Sequence, residues 1–178
     1  MDTSYAIQYR TSYRGAYKDT KIPRDHLVQL LEAGLSAPSG CNMQTTSLIA
    51  VDDAALLCKI KALIEPPIAQ TAPAFVCVLT QKIPARGNKY YNVQDYAAAI
   101  QNVLLCAVAL GYQSCWYEGH ITNTDRIGDQ MAKILGVPEE YELVCFLPVG
   151  IPAEEIKAVK KQPFETRVWL NGFGKTME

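Results

Sequence analysis

Arg10-Thr11-Ser12-Tyr13-Arg14 places two guanidinium groups four residues apart with hydroxyls between them. On a helix, like charges at that spacing repel by a few tenths of a kcal/mol. An anion bridging them converts the repulsion into two charge-assisted hydrogen bonds. About one helix downstream lies a polar turn, Ala37-Pro38-Ser39-Gly40-Cys41-Asn42-Met43-Gln44. Pro38 and Gly40 break the preceding helix, and Ser39, Asn42 and Gln44 offer hydroxyl and amide groups in quick succession. Such groups can hydrogen-bond a polar heteroaromatic ligand without adding net charge. Taken alone, the arginines also read as independent surface cations, and the turn as an ordinary helix-to-strand loop. Near the C-terminus, Lys160-Lys161-Gln162-Pro163-Phe164-Glu165 is a further basic segment, equally readable as a solvated charge run; Arg167 is a weaker neighbour.

Other chemistries find less support. Only two histidines, His26 and His120, are present, which excludes a multi-histidine metal site. Cys41 or Cys115 paired with His120 lacks a recognisable nucleophile turn. Neither Gly-x-Gly-x-x-Gly nor Gly-x-x-x-x-Gly-Lys occurs, so a Rossmann domain or P-loop is not expected.

The elements that must position these residues follow from periodicity. Tyr5 to Arg10 reads as a short N-terminal helix. Leu27, Leu30, Leu31 and Leu35 have helical spacing after Pro23. Leu48 to Val51 reads as a buried strand, and Asp52-Asp53 cap a helix running through Leu57 and Ile60 to Leu63-Ile64. Ala74 to Leu79 is dense in β-formers. Gln81 to Tyr91, with Pro84, Gly87 and three basic residues, reads as a surface loop or short lid. From about Val93 to Leu110 runs a helix apolar around much of its circumference, hence central and buried, ended by Gly111. Ser114 to Tyr117 reads as a strand, Asn123 or Thr124 as the cap of a helix through Ile127, Met131 and Leu135, and Leu143 to Val149 as a last core strand. The result is an α+β sandwich, a central mixed or antiparallel sheet flanked by helices, in a single domain over residues 1–178.

Composition sets outer bounds. Hydrophobic residues make up 49% and charged residues 20% of 178, with a formal net charge of -1, so no global field favours nucleic acid or an anionic membrane. No signal peptide or spanning segment is expected. Of six cysteines, Cys77, Cys106, Cys115 and Cys145 lie in apolar runs as small hydrophobes, and no Cys-x-x-Cys pair occurs. That usage fits a reducing, cytoplasmic setting.

Together the Arg10–Arg14 segment and the Pro38–Gln44 turn resemble the N-terminal signature of the FMN-dependent nitroreductase family, Arg-x-Ser-x-Arg/Lys followed by Ala-Pro-Ser-x-x-Asn-x-Gln. Thr45 stands where the family commonly has proline. The resemblance implies FMN as cofactor, with Arg10, Thr11 and Ser12 toward its phosphate and ribityl chain and Arg14 at the pyrimidine edge. Pro38, Ser39, Asn42 and Gln44 would serve the flavin of the other subunit of a homodimer. Gly111 to His120 resembles the stretch whose backbone, here Glu118 and Gly119, meets flavin N5. Lys160 and Lys161 resemble the basic pair over the phosphate, and the 153–178 tail would pack on the partner. The implied activity is hydride transfer from NAD(P)H to an electron-poor acceptor such as a nitroaromatic or quinone, with no side chain acting as acid or base. Relatives of the same fold that dehalogenate, destroy flavin or only carry it mark the alternative.

Overall fold

The computed structural model describes residues 2–65, 67, 69–118, 126–157 and 159–175. In chain order it contains α1 (Thr3–Tyr9), α2 (Arg24–Leu35), a 3-10 turn (Gly40–Asn42), β1 (Thr46–Val51), α3 (Ala54–Lys61), β2 (Ala74–Thr80), α4 (Asn92–Ala109), β3 (Gln113–Ser114), α5 (Ile127–Leu135), β4 (Glu142–Gly150) and a 3-10 turn (Phe164–Thr166). The strands form one sheet in the order β1-β2-β4-β3, and every named pair is antiparallel.

β2 lies inside the sheet and is buried along its whole length. Because successive side chains on a strand point to opposite faces, its residues divide between two cores. Phe75, Cys77 and Leu79 pack with Leu57 and Ile60 of α3 and Met131 of α5. Ala74, Val76 and Val78 pack with Leu27 and Leu30 of α2 and Ile100, Val103 and Leu104 of α4. β4 would alternate in the same way but for a bulge: Val78 pairs with Cys145 and Leu79 with Leu143, leaving Val144 as the extra residue. Val144 and Cys145 consequently both join the α2/α4 side, while Leu143 and Phe146 belong to the other.

α4 is the expected long helix, 18 residues with nine of them buried, among them the polar Asn92 and Asp95. Gly111 follows it at φ +85°, a conformation open to glycine at little cost. Asp53 caps α3 as expected, its carboxylate accepting from the Ala55 and Leu56 N–H groups at 3.0 and 2.9 Å.

Several boundaries differ from expectation. α3 ends at Lys61, and Leu63-Ile64 form a turn instead of a last helical turn. β1 is an edge strand, half-buried up to Val51 rather than enclosed. The strand expected over Ser114–Tyr117 is two residues, Gln113–Ser114, followed by an isolated bridge from Tyr117 to Phe146. Asn123 and Thr124 lie outside the described residues; α5 begins at Ile127 with Arg126 in the left-handed region before it. Among the described residues no helix is long and apolar enough to cross a membrane. Along the C-terminal segment Val159, Phe164, Leu170 and Phe173 are exposed.

Removing the α3 cap tests this architecture without touching a core. Asp53→Ala should lower stability by about 1 kcal/mol, read as a shifted urea midpoint with an unchanged slope; an unchanged midpoint would mean that the cap contributes nothing.

Candidate functional site

α1 stops at Tyr9, and the Arg10–Arg14 segment runs extended instead of helical. Ser12 bridges Ser114 in parallel, and the Tyr13 N–H donates to the Ser114 carbonyl at 3.0 Å. Sheet-edge pairing overrides the helical relation expected between Arg10 and Arg14. Arg10, Ser12 and Arg14 occupy alternate positions, while Tyr13 is driven into the core. The chain is then stitched to the end of β4: the Lys18 N–H donates to the Ile151 carbonyl at 2.9 Å, and the Ala153 N–H to the Ala16 carbonyl at 2.8 Å.

The outcome is a cavity of about 330 Å³ lined by Arg10, Thr11, Ser12, Arg14 and Lys161, together with Gln8, Tyr9, Ile156 and Val159. Three cations converge there, and no described lining residue carries a carboxylate. Lys161 lines the cavity; Lys160, beside it in sequence, is not among the lining residues. Among the described residues, Thr11 Oγ1, in the lining, and Ser114 Oγ, on the paired β3 outside it, are buried without a hydrogen-bond partner. An unpaired buried hydroxyl costs about 1–3 kcal/mol. Cationic side chains beside a hydroxyl with no partner among the described residues suit an anion with several oxygens, such as a phosphate ester. Cys115 lies fully buried close by. Burial pushes its thiol up, the Arg14 guanidinium pulls partly against that, and the side chain packs in the core beneath the segment.

The Pro38–Gln44 turn is built differently. Cys41, Asn42 and Gln44 take φ values of 53°, 56° and 49°, in the left-handed region, each at a cost of about 1–3 kcal/mol for a residue with a Cβ. Ser39 Oγ accepts from the Gln44 N–H at 3.0 Å, closing the turn on itself. The second fastening comes from Asp95, in the first turn of α4 and only 3% exposed. One carboxylate oxygen accepts from the Gly40 N–H and the other from the Thr45 hydroxyl, both at 2.7 Å. Thr45 in turn accepts the Gln81 N–H on its carbonyl at 2.9 Å, tying the 81–91 loop to the same point. Gly40 has no room for a side chain, because a Cβ there would lie 2.5 Å from the Tyr91 side chain. Pro38, Ser39, Gln44 and Asp95 help line a second cavity of about 400 Å³ that shares no lining residue with the cationic one. Asn42 is exposed and is not among its lining residues.

Sequence reasoning missed Asp95. A signal was available: Asp95 falls in register with Ala99 and Val103, which are buried on α4, and a carboxylate on such a face demands partners.

The third segment is anchored by side chains. Tyr117 and Phe146 exchange backbone hydrogen bonds of 3.2 and 3.1 Å. Glu118 accepts from Trp116 Nε1 at 2.7 Å and from the Tyr96 hydroxyl at 2.8 Å. Burial, reinforced by that hydrogen bond to Glu118, pushes the Tyr96 hydroxyl well above its ordinary value, so it remains a donor. Gly119, expected beside Glu118, lies outside the described residues.

Known proteins share both the sequence and this architecture. The chain is 30% identical over 160 residues to a protein of Methanothermobacter thermautotrophicus named "Putative NADH dehydrogenase/NAD(P)H nitroreductase", covering 86% of this chain and 79% of that one. Among solved structures, a nitroreductase with bound FMN from Bacteroides fragilis is 26% identical with a TM-score of 0.77, over 96% of this chain and 98% of the other. An FMN-dependent nitroreductase from Clostridium difficile is 25% identical with a TM-score of 0.78, over 94% and 98%. The family model described as the Nitroreductase family matches residues 7–68 and 57–151, a span that takes in the Arg10–Arg14 segment, the Asp95-fastened turn and the strand bearing Ser114, and the chain belongs to that family.

Proposed function

We propose that this protein is an FMN-dependent oxidoreductase that draws hydride from NAD(P)H and reduces an electron-poor acceptor such as a nitroaromatic or a quinone. The observation that carries this reading is the cationic cavity lined by Arg10, Arg14 and Lys161, in whose lining the Thr11 hydroxyl has no partner among the described residues. FMN fits that chemistry because its phosphate is a multi-oxygen anion. The FMN of the Bacteroides fragilis relative supports the same assignment. When bound, FMN would supply two-electron chemistry that no side chain here performs.

In this reading Arg10, Thr11, Ser12 and Lys161 hold the phosphate and ribityl end. Arg14 supplies fixed positive charge near the pyrimidine edge, where negative charge develops on reduction. Ser39, Asn42 and Gln44, with Pro38 shaping the turn, bind the polar edge of the ring, and the backbone at Glu118 and Gly119 serves its centre. The clamp of Trp116 and Tyr96 on Glu118 holds that backbone still. No residue is assigned as acid or base; the chain orients two reactants in turn and limits access of bulk water.

The separation of the turn's cavity from the cationic one supports a homodimer in which each turn meets the partner's flavin. The exposed Val159, Phe164, Leu170 and Phe173 support a C-terminal tail packed on that partner. Tyr90 and Tyr91, at the end of the 81–91 loop, would shape access for the acceptor.

Three measurements test the reading. Purified protein should show flavin absorbance bands that bleach on anaerobic addition of NADH or NADPH; a colourless protein that takes up no added FMN would sink it. Arg10→Ala with Ser12→Ala should raise the FMN Kd by about 100-fold or more, since two or three charge-assisted bonds are lost, and full flavin occupancy in that double variant would contradict the phosphate assignment. Finally, Lys161→Ala should weaken FMN by about threefold to tenfold, a range set by solvent screening of an exposed charge, with Lys160→Ala near unity. The reverse order would move the phosphate contact to Lys160.

A further inference from the structure

The 39–45 turn holds three non-glycine residues in the left-handed region, and an isolated segment of this kind would relax to commoner conformations. Within the turn, the Ser39 hydroxyl fastens Gln44. The fastening to the body of the protein at Gly40 and Thr45 is supplied by Asp95, through both carboxylate oxygens. Asp95 is 3% exposed, and its helix packs against α2 and the sheet through Ile100, Val103 and Leu104. The turn is therefore held to a rigid element before any ligand arrives.

We propose that Asp95 is a positioning residue that pre-forms the Ser39–Gln44 turn for a planar heteroaromatic ring, without contributing to the anion-binding end. This rests on the flavin reading above and adds a division of labour to it. Arg10, Arg14 and Lys161 line one cavity, Ser39 and Gln44 at the two ends of the turn line another together with Asp95, and no residue is common to both. A group that fixes the turn in advance lowers the ordering cost of binding. Loss of Asp95 should thus weaken ring binding by a constant factor whether or not the ligand carries a phosphate. A residue that merely held the fold together would damage both ends.

The test compares FMN, riboflavin and inorganic phosphate on the full-length protein, by flavin fluorescence and by phosphate displacement of FMN. Asp95→Ala leaves the Gly40 N–H and Thr45 hydroxyl without their acceptor. It should raise the Kd of both FMN and riboflavin by about tenfold or more, while the inhibition constant of inorganic phosphate stays within about twofold of native. Asp95→Asn keeps one carbonyl oxygen for the Gly40 N–H and an amide for Thr45 Oγ1, and should recover most of the loss.

Equal binding of both flavins by native and Asp95→Ala protein would overturn the assignment, as would a parallel weakening of phosphate. If Asp95→Ala does not fold, Thr45→Val decides the matter, since it removes one of the two bonds. Riboflavin should then weaken by about threefold with phosphate unaffected, and unchanged riboflavin binding would overturn the role. A native protein that takes up neither flavin overturns the flavin reading itself, and this assignment with it.

Discussion

The β2–β4 pair is covered by helices on both faces, and each segment considered for ligand binding hangs from that pair or from the helix packed on it. Burial on both faces leaves little freedom, because a one-residue slip would exchange the two cores. The fixed register delivers Pro148 to Pro152 to one end of the sheet, where the N-terminal segment is stitched alongside. It also delivers Phe146 opposite Tyr117, which sets the start of the Glu118 segment. α4, seated on the other face, brings Asp95 to the turn and Tyr96 to Glu118 through neighbouring positions. Hydrophobic packing thus sets the distances, and a small number of hydrogen bonds refine them.

The division between the two cavities has an energetic counterpart. The cationic one is electrostatically unfinished, with three positive groups and a lining hydroxyl that lacks a partner among the described residues. The turn is the opposite: its hydroxyl and its buried carboxylate are already engaged, and the cost of its left-handed backbone is carried by the fold. A ligand with one charged end and one flat polar end would gain attraction at the first and a prepared surface at the second.

What could be read from the sequence was whatever depends on near neighbours. The Asp53 cap, β2, α4 and the Gly111 stop all follow from residues within a few positions of one another, and the structure has each of them. Arg10 and Arg14 were visible as a pair but not as an extended one, because the pairing that straightens them comes from Ser114, far along the chain. Asp95 was hidden for the same reason: its partners Gly40 and Thr45 are fifty or more residues away. The short β3 and the early end of α3 are likewise settled by packing. Lys161 against Lys160 could not be separated by type or spacing, and only the path of the tail over the N-terminal segment sets them apart.

The bulge at Val144 bears on how such a protein can change over generations. It places two consecutive residues, Val144 and Cys145, in one core and restores alternation afterwards. Losing the extra residue itself would leave a regular ladder, but losing Phe146, beyond the bulge, would turn Leu147 and Val149 toward the wrong helices and carry the displacement into Gly150 and Ile151, which support the N-terminal segment. Beyond the bulge the strand is consequently closed to insertions and deletions, whereas the 81–91 loop is anchored at its start by Gln81 and pinned at its end by Tyr91 over Gly40. Length variation there could alter which molecules reach the turn while the scaffold stays as it is. Diversification in descendants of this chain would accordingly concentrate in that loop, with β4 acting as the conserved ruler.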